Sequence, residues 1–315
     1  MTQSNEKLKM IKIIETCLLI FCCSGVIAAE PADQFNGPVG EYVGLADHRL
    51  HLYCTGENGP TIIFEPGIGG SSLEWFDIQQ KLAGQVKSCA YDRGGYGWSD
   101  PGPGARDVSQ IVKELRFILN KKEIKPPYIF VGHSFGGYIA LYHAQNHADE
   151  TAGLILVDSS HPEQNKHIKA LLSKGSNSNS INPMKIRTSV KEESFQSMAL
   201  ERGAFLNRQR KAIFAQMNEI KNFRESGVVV SNAEILTNTP MIVLTRSFPA
   251  DSTDKNSGLE KEWLDLQRSL TELSTDAKQI VVENSGHSIH LDQPEVVIDA
   301  ISNMVDKLRL KEIHE

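Results

Sequence analysis

A serine flanked by glycines and a histidine near the C-terminus are the residues best suited to chemistry in this sequence. Ser134 lies in the run GHSFG at 132–136, and His287 follows the short turn Ser285-Gly286. A serine hydroxyl is a weak nucleophile at neutral pH and needs an adjacent base. Small flanking residues allow the sharp, strained turn on which such a serine is exposed. The pair therefore predicts nucleophilic catalysis by Ser134 with His287 as the base.

The histidine is chosen by its order along the chain. Where a strand, a serine turn and a helix follow one another, the catalytic partners come in the order serine, acid, histidine. That order indicates a histidine beyond the last strand, which is His287, with His290 as the fallback. His133 is interpreted as structural, because a side chain adjacent to the serine on so tight a turn points elsewhere.

The third member of the triad should be a carboxylate at the end of a late strand, where it can orient the imidazole. Asp158 directly follows the apolar run 154–157, whereas Asp251 and Asp254 follow the run 241–245 only after five further residues. We predict Asp158 as the acid, with Asp251 as the alternative and Asp254 behind it. A purely structural Asp158, capping the loop after its strand, is the competing interpretation.

Acyl transfer also needs backbone N–H groups that stabilise the developing oxyanion. One is expected from Phe135, the residue after the serine, and a second from Ile68 in the glycine-rich loop at 64–70. A glycine-rich loop can also bind phosphate, but neither of the two common phosphate-loop patterns is present. Ile68 and Phe135 are therefore the predicted oxyanion-hole residues.

The elements that must position these residues alternate between strands and helices. Strands are predicted at 41–46, 50–55, 61–64, 88–91, 128–132, 153–157, 241–245 and 279–282, and helices at 73–82, 108–119, 135–147, 259–273 and 294–308. Such alternation predicts an α/β fold with an eight-stranded, mostly parallel sheet covered by helices on both faces. The first two strands are joined by a short turn and are expected to form an antiparallel hairpin at one edge.

The alternation stops between residues 158 and 240, where the pattern is helical with a Ser/Asn-rich break. We predict a helical cap at 159–238, inserted into a core formed by 30–158 and 239–315. Residues 1–29 are predicted to be a signal peptide, because lysines precede an apolar stretch that is too short to span a bilayer. A buried N-terminal helix and an uncleaved membrane anchor are the alternatives.

Removal of this leader leaves Cys54 and Cys89 as the remaining cysteines of the exported chain. Two cysteines in an exported protein suggest one disulfide, with two buried free thiols as the alternative. The protein is expected to be periplasmic or secreted, with no stable membrane span after cleavage. A net charge of −6 and the lack of a Lys/Arg run interleaved with aromatic residues argue against a nucleic-acid partner.

These motifs together resemble the α/β-hydrolase superfamily over nearly the whole mature chain. The resemblance rests on the glycine loop, the run YDRGGYGWS at 91–99, the serine turn and Gly286-His287. It implies that the 91–99 run forms a turn after the fourth strand, so Arg93 is given no catalytic role, and neither is Trp98. The superfamily's sheet order also places the second and fourth strands side by side, which implies a disulfide between the two remaining cysteines.

The resulting functional prediction is a serine hydrolase that cleaves an acyl bond of a small molecule through an acyl-enzyme, with a carboxylic ester as the expected substrate. The mechanism requires no metal and no organic cofactor. The alternatives are a lactone, amide/peptide or C–C hydrolase, haloperoxidase-like chemistry, and a catalytically inactive ligand-binding protein. An aspartate nucleophile is excluded because position 134 is a serine.

Overall fold

The computed structural model describes residues 37–164, 195–231, 236–247 and 258–314. The predicted leader at 1–29 and the alternative acids Asp251 and Asp254 lie outside these residues. All described residues belong to one unit that extends from Asp33 to Glu315. The predicted boundaries of leader, core and cap stay predictions.

An eight-stranded sheet forms the centre of the fold, as predicted. Its strands are β1 (Glu41–Gly44), β2 (Arg49–Thr55), β3 (Thr61–Glu65), β4 (Ser88–Tyr91), β5 (Tyr128–His133), β6 (Thr151–Val157), β7 (Leu236–Ser247) and β8 (Ser274–Glu283). Their order across the sheet is β1-β2-β4-β3-β5-β6-β7-β8. The β1–β2 and β2–β4 pairs are antiparallel and every other neighbouring pair is parallel.

Helices follow most of the strands. They are α1 (Phe76–Leu82), α2 (Val108–Lys121), α3 (Phe135–Asn146), α4 (Phe195–Asn207), α5 (Arg210–Ser231), α6 (Gly258–Ser269), α7 (Ile289–Asp292) and α8 (Pro294–His314). Short 3₁₀ turns occupy Ser72–Trp75, Ala148–Glu150 and Leu270–Leu273. Helices α4 and α5 lie in the chain between β6 and β7, within the segment predicted as a cap.

Two apolar clusters cover the two faces of the sheet. One contains residues of α2 and α3, such as Ile111 and Ile139, and the other contains residues of α1 and α8, such as Ile78 and Ile301. The central strands β3 and β5 are buried along their whole length, which explains their unbroken apolar character. Helices on both faces of the sheet are therefore confirmed.

The largest departures from the predicted strands occur at the β7–β8 edge. Each of these strands begins five residues earlier than predicted, at Leu236 and Ser274, and these two residues are paired. Backbone pairing extends the strands through residues that are largely polar and part-exposed in β8. Polar strand residues of this kind do not produce a hydrophobic run. The hydrophobic pattern of the sequence therefore predicted only the apolar part of each strand.

Strands β2 and β4 are joined covalently. Cys54 and Cys89 lie directly opposite each other in the antiparallel pairing and form a disulfide. The predicted disulfide is therefore present in the structure. Among the described residues, none of the helices combines the length and apolar character needed to cross a bilayer.

Candidate active site

Ser134 lies on a sharp turn between β5 and α3, as its flanking sequence predicts. Its φ of 52° lies in the left-handed region, which side chains other than glycine seldom adopt. A Cβ atom at Gly132 would collide with the Gly136 carbonyl, and one at Gly136 would collide with the Glu65 carbonyl. The two glycines are therefore required for the close packing of strand, turn and helix. Ser134 itself is part-exposed between buried neighbours.

His287 and Asp158 form a direct hydrogen bond. The distance between His287 Nδ1 and Asp158 Oδ2 is 2.6 Å, although the residues are 129 positions apart in the chain. Because an ionised carboxylate only accepts hydrogen bonds, Nδ1 carries the proton and Nε2 of the neutral ring is left as the basic nitrogen. The His287 side chain is 40% exposed and Asp158 is fully buried. The imidazole can therefore reach solvent or substrate while its orienting carboxylate cannot.

Three further groups donate hydrogen bonds to the Asp158 carboxylate. Arg246 Nη1 lies 2.7 Å from Oδ2, the Arg246 backbone N–H lies 3.2 Å from Oδ1, and Trp263 Nε1 lies 2.8 Å from Oδ1. Burial alone would raise the pKa of Asp158, but the Arg246 cation and the His287 and Trp263 hydrogen bonds outweigh it and lower the pKa to about 2. Asp158 is therefore ionised throughout the neutral range.

Helix α6 supports this acid from one face. Glu260 accepts a hydrogen bond from Arg246 at 3.0 Å, Trp263 donates to Asp158, and Gln267 Nε2 donates to the Ser159 carbonyl at 2.7 Å. These three residues recur at the spacing of one helical face. The sequence analysis missed them, since such spacing is equally typical of an ordinary packed helix.

The glycine loop after β3 is held by side chains that the sequence analysis left without a role. Arg93 donates to the Pro66 carbonyl at 2.7 Å and to the Gly67 carbonyl at 2.8 Å. Asn207 Nδ2, at the end of α4, donates to the Gly69 carbonyl at 2.8 Å. The loop that contains Ile68 is thus fixed on both sides of that residue.

Arg93 is itself paired with the segment predicted as a cap. Its Nε lies 2.7 Å from Glu219 Oε1 of α5, and its Nη2 lies 3.0 Å from Glu219 Oε2. Tyr96 also donates to Glu219, at 2.9 Å. Arg93 and Glu219 are fully buried. Arg93 therefore links the glycine loop to α5 through a bidentate ion pair.

Glu65, the last residue of β3, behaves differently from Asp158. Its carboxyl lies 3.9 Å from Arg93 Nη1 and accepts a hydrogen bond from Tyr91 at 3.2 Å. Burial nevertheless raises the pKa of Glu65 to about 8. This carboxyl is therefore largely protonated at neutral pH.

The two predicted oxyanion donors lie at the turn and in the loop. In the part of the chain that the structure describes, neither the Phe135 N–H nor the Ile68 N–H has a hydrogen-bond acceptor. A Cβ atom at Gly67 would lie 3.2 Å from the Ser134 Cβ, so the loop passes directly beside the serine. Both N–H groups are therefore available to donate hydrogen bonds to a ligand oxygen near Ser134.

A column of rings lies behind Ser134. His133 stands between His287 and His290, with ring centroids 4.7 Å and 4.5 Å away, and Trp75 stacks on the far side of His290 at 4.5 Å. Burial lowers the pKa of His133 well below its ordinary value, so this ring is neutral. His287, and not the fallback His290, is the histidine that contacts Asp158.

Comparison with known proteins assigns the fold to a family. Residues 60–223 match the family model described as alpha/beta hydrolase fold. An uncharacterized protein of Bacillus subtilis (strain 168), YqjL, is 29% identical over 258 residues, which cover 82% of this chain and 87% of YqjL.

Solved structures agree with this assignment at the level of the fold. A provisionally named lipase of Acinetobacter baumannii AYE has a TM-score of 0.63 and 20% identity, covering 86% of this chain and 92% of its own. A thermophilic esterase of Thermogutta terrifontis has a TM-score of 0.59 and 17% identity, covering 85% and 99%. The eight-stranded, mostly parallel sheet agrees with these folds, and this chain belongs to the α/β-hydrolase fold family.

Proposed function

We propose that this protein is a serine hydrolase that cleaves an acyl bond of a small molecule, with a carboxylic ester as the expected substrate. Ser134 is the nucleophile, His287 the general base and Asp158 the acid that orients it. The observation that carries the proposal is the 2.6 Å hydrogen bond between His287 Nδ1 and the buried Asp158. The His287 ring packs against that of His133, the residue next to Ser134 on its left-handed turn. Family membership supports a hydrolase, and the choice of an ester is part of the proposal.

In the proposed reaction, Ser134 Oγ attacks the carbonyl carbon while His287 Nε2 takes the hydroxyl proton. The tetrahedral intermediate collapses, the C–O bond to the alcohol breaks, and His287 returns the proton to the leaving oxygen. Water then attacks the acyl carbon while the same histidine takes its proton. The bond from the acyl carbon to Ser134 Oγ breaks, His287 returns the proton to Oγ, and the acid product leaves. Asp158 stays ionised throughout and stabilises the imidazolium.

The oxyanion is stabilised by the N–H groups of Phe135 and Ile68 in this proposal. Their lack of an acceptor among the described residues supports the assignment. One such donor contributes roughly 10²- to 10³-fold in kcat in well-studied hydrolases. Arg93 acts on this half of the site as a positioning residue, because it binds the carbonyls on the N-terminal side of Ile68.

The proposal is tested by replacing the nucleophile. Ser134→Ala should lower kcat on an activated ester by about 10⁶-fold and abolish labelling by a fluorophosphonate probe. Ser109→Ala, at an exposed serine of α2, is the matched control and should retain both activities. The proposal that the protein is a serine hydrolase would be refuted if folded wild-type protein neither reacted with the probe nor hydrolysed any activated ester. A panel of ester, thioester, lactone and amide substrates then tests the choice of acyl group.

We also propose that the protein is exported, with residues 1–29 removed as a signal peptide. The Cys54–Cys89 disulfide supports this, because disulfides persist in oxidising compartments. N-terminal sequencing of the protein recovered from the periplasm or medium should begin near Glu30. Recovery of the full-length chain in the membrane fraction would instead support the anchored form.

A further inference from the structure

Three potential metal ligands converge behind the proposed base, and the proposed reaction uses none of them. They are Glu74 in the 3₁₀ turn after the glycine loop, His133 at the end of β5, and His290 in α7. One ligand atom from each lies within 4.8 Å of the other two. The fold therefore brings two imidazoles and one carboxylate together from three separate segments.

Three of the four histidine nitrogens in this cluster are buried without a hydrogen-bond partner among the described residues. His290 is 1% exposed and His133 is 7% exposed. Within the described ranges, both ring nitrogens of His290 and Nδ1 of His133 have no hydrogen-bond partner. Leaving a buried polar atom unsatisfied costs about 1–3 kcal/mol, so three of them in one place indicate a missing ligand.

The orientation of His133 suits metal binding. Its Nε2 lies 3.0 Å from the His287 carbonyl oxygen, and because a carbonyl only accepts, Nε2 carries the proton. Nδ1 is then left with its lone pair. Histidines that bind metals almost always donate their other ring N–H to a carbonyl or carboxylate, which fixes the tautomer in this way.

The distance between the other two ligands also fits. Glu74 Oε2 lies 3.7 Å from His290 Nε2, which is too long for a hydrogen bond. Two ligands that each lie about 2.0–2.1 Å from a tetrahedral zinc ion are separated by roughly 3.3 Å, so a small movement of Glu74 closes the site. The Glu74 side chain is 24% exposed, which gives an ion a route from solvent.

We propose that Glu74, His133 and His290 form a binding site for a zinc-class divalent cation, with a fourth position open to water. Two imidazole nitrogens select such borderline transition metals over calcium or magnesium, which prefer oxygen ligands. The ring of His133 packs against that of His287 and donates to the His287 carbonyl oxygen, so a cation bound to His133 shifts the proposed base away from Ser134. Zinc therefore inhibits hydrolysis, and this consequence alone rests on the proposed function.

Binding is tested first, in a background that cannot turn over substrate. Isothermal titration of zinc chloride into metal-free, full-length Ser134→Ala protein should give one ion per chain. Glu74→Gln and His290→Gln in the same background should each weaken zinc binding at least about tenfold. His147→Gln, which removes a part-exposed imidazole from the end of α3, is the control and should bind zinc as the parent does.

The possible outcomes distinguish a failure of the proposed zinc site from a failure of the proposed hydrolase function. No zinc binding by the parent, or binding within threefold of the parent by a folded Glu74→Gln variant, overturns the site. Glu74→Gln decides the matter if His290→Gln fails to fold, because Glu74 is part-exposed whereas His290 packs under Trp75. Zinc binding that depends on these ligands, in a protein without esterase activity, supports the site and refutes only the proposed function.

Inhibition is tested on the active wild-type chain. Zinc should slow ester hydrolysis reversibly, and chelation should restore the initial rate. The Glu74→Gln variant should need at least about tenfold more zinc for the same fractional inhibition, relative to its own metal-free rate. Zinc that binds at the site without changing the rate of hydrolysis overturns the inhibitory role.

Discussion

Two arginines, the buried Arg93 and the part-buried Arg246, support the two halves of the proposed site, and they leave one neighbouring carboxyl ionised and the other protonated. Arg246 donates directly to Asp158 at 2.7 Å, and the pKa of that carboxyl is lowered to about 2. Arg93 lies 3.9 Å from Glu65, but its guanidinium binds Glu219, and burial raises the pKa of Glu65 to about 8. A buried carboxyl is therefore ionised when it accepts the arginine's hydrogen bonds. An arginine that is merely nearby does not keep it ionised.

The difference in charge suits the chemistry proposed for the two halves of the site, which are the His287–Asp158 pair and the glycine loop with its oxyanion donors. The carboxylate behind His287 must be negative when the imidazolium forms, and Arg246 keeps it so. Glu65 ends the strand before the glycine loop, where a negative charge would oppose the developing oxyanion. A protonated Glu65 removes that opposition and can still accept the Tyr91 hydrogen bond.

Among the variants that test this comparison, the largest expected effect comes from neutralising the acid. Asp158→Asn should lower kcat on an activated ester by about 10⁴-fold, because an amide neither fixes the tautomer of His287 nor stabilises its imidazolium. The matched variant is Asp251→Asn, at the alternative acid of the sequence analysis, which should stay within a few fold of wild type. A large loss at Asp251 with little at Asp158 would transfer the role of acid to Asp251.

The next effect comes from neutralising the partner of the other arginine. Glu219→Gln leaves the Arg93 cation buried without its bidentate partner, and should lower the free energy of unfolding by about 3–5 kcal/mol. Urea denaturation at pH 7 measures this. Glu225→Gln changes an exposed carboxylate on the same helix and should shift stability by less than about 0.5 kcal/mol. Equal stability of the two variants would mean that the pair contributes little.

A smaller effect is expected from Glu65 itself. Because its pKa is raised in the folded state, its contribution to stability is full below about pH 4.5 and is lost as the pH rises towards 8. Relative to Glu65→Gln, wild type should lose about 2–3 kcal/mol of unfolding free energy between pH 5 and pH 7. Urea denaturation at several pH values measures the slope of unfolding free energy against pH for wild type and for Glu65→Gln. Parallel slopes would show that Glu65 is ionised in the folded state.

The arrangement of the site separates what the sequence could predict from what it could not. The positions of Ser134, His287 and Asp158 follow from local rules, because each lies within four residues after the end of a strand in the parallel part of the sheet. The carboxyl ends of such strands meet at one edge, so local order along the chain predicts proximity in space. The observed contact between His287 and Asp158 agrees with that rule, and their catalytic roles stay predictions.

The supporting side chains follow no such rule. Arg93 and Glu219 are 126 residues apart, and Arg246 and Asp158 are 88 apart. Their pairing depends on how α5 and β7 pack against the sheet, which charge and spacing in one sequence do not determine. The end of β7 illustrates this. Arg246, its penultimate residue, lies close to where an acid is commonly expected, and its side chain contacts Asp158, the acid after β6.

The smallest effect, and the most specific test of the comparison, concerns the pH at which His287 works. In the double variant Arg246→Gln/Glu260→Gln, the Asp158 carboxylate loses the neighbouring guanidinium of Arg246. The second substitution removes the Glu260 carboxylate of α6, which would otherwise be left without its arginine. A less neutralised Asp158 stabilises the imidazolium better, so the acid limb of the kcat/KM profile should move up by about one pH unit. Profiles between pH 4 and pH 9 on an activated ester measure this shift, and Arg246→Lys, which keeps the charge, should leave the limb near its wild-type position. A fall in kcat with an unmoved limb would mean that Arg246 only orients Asp158, and the proposed electrostatic difference between the two arginines would not extend to catalysis.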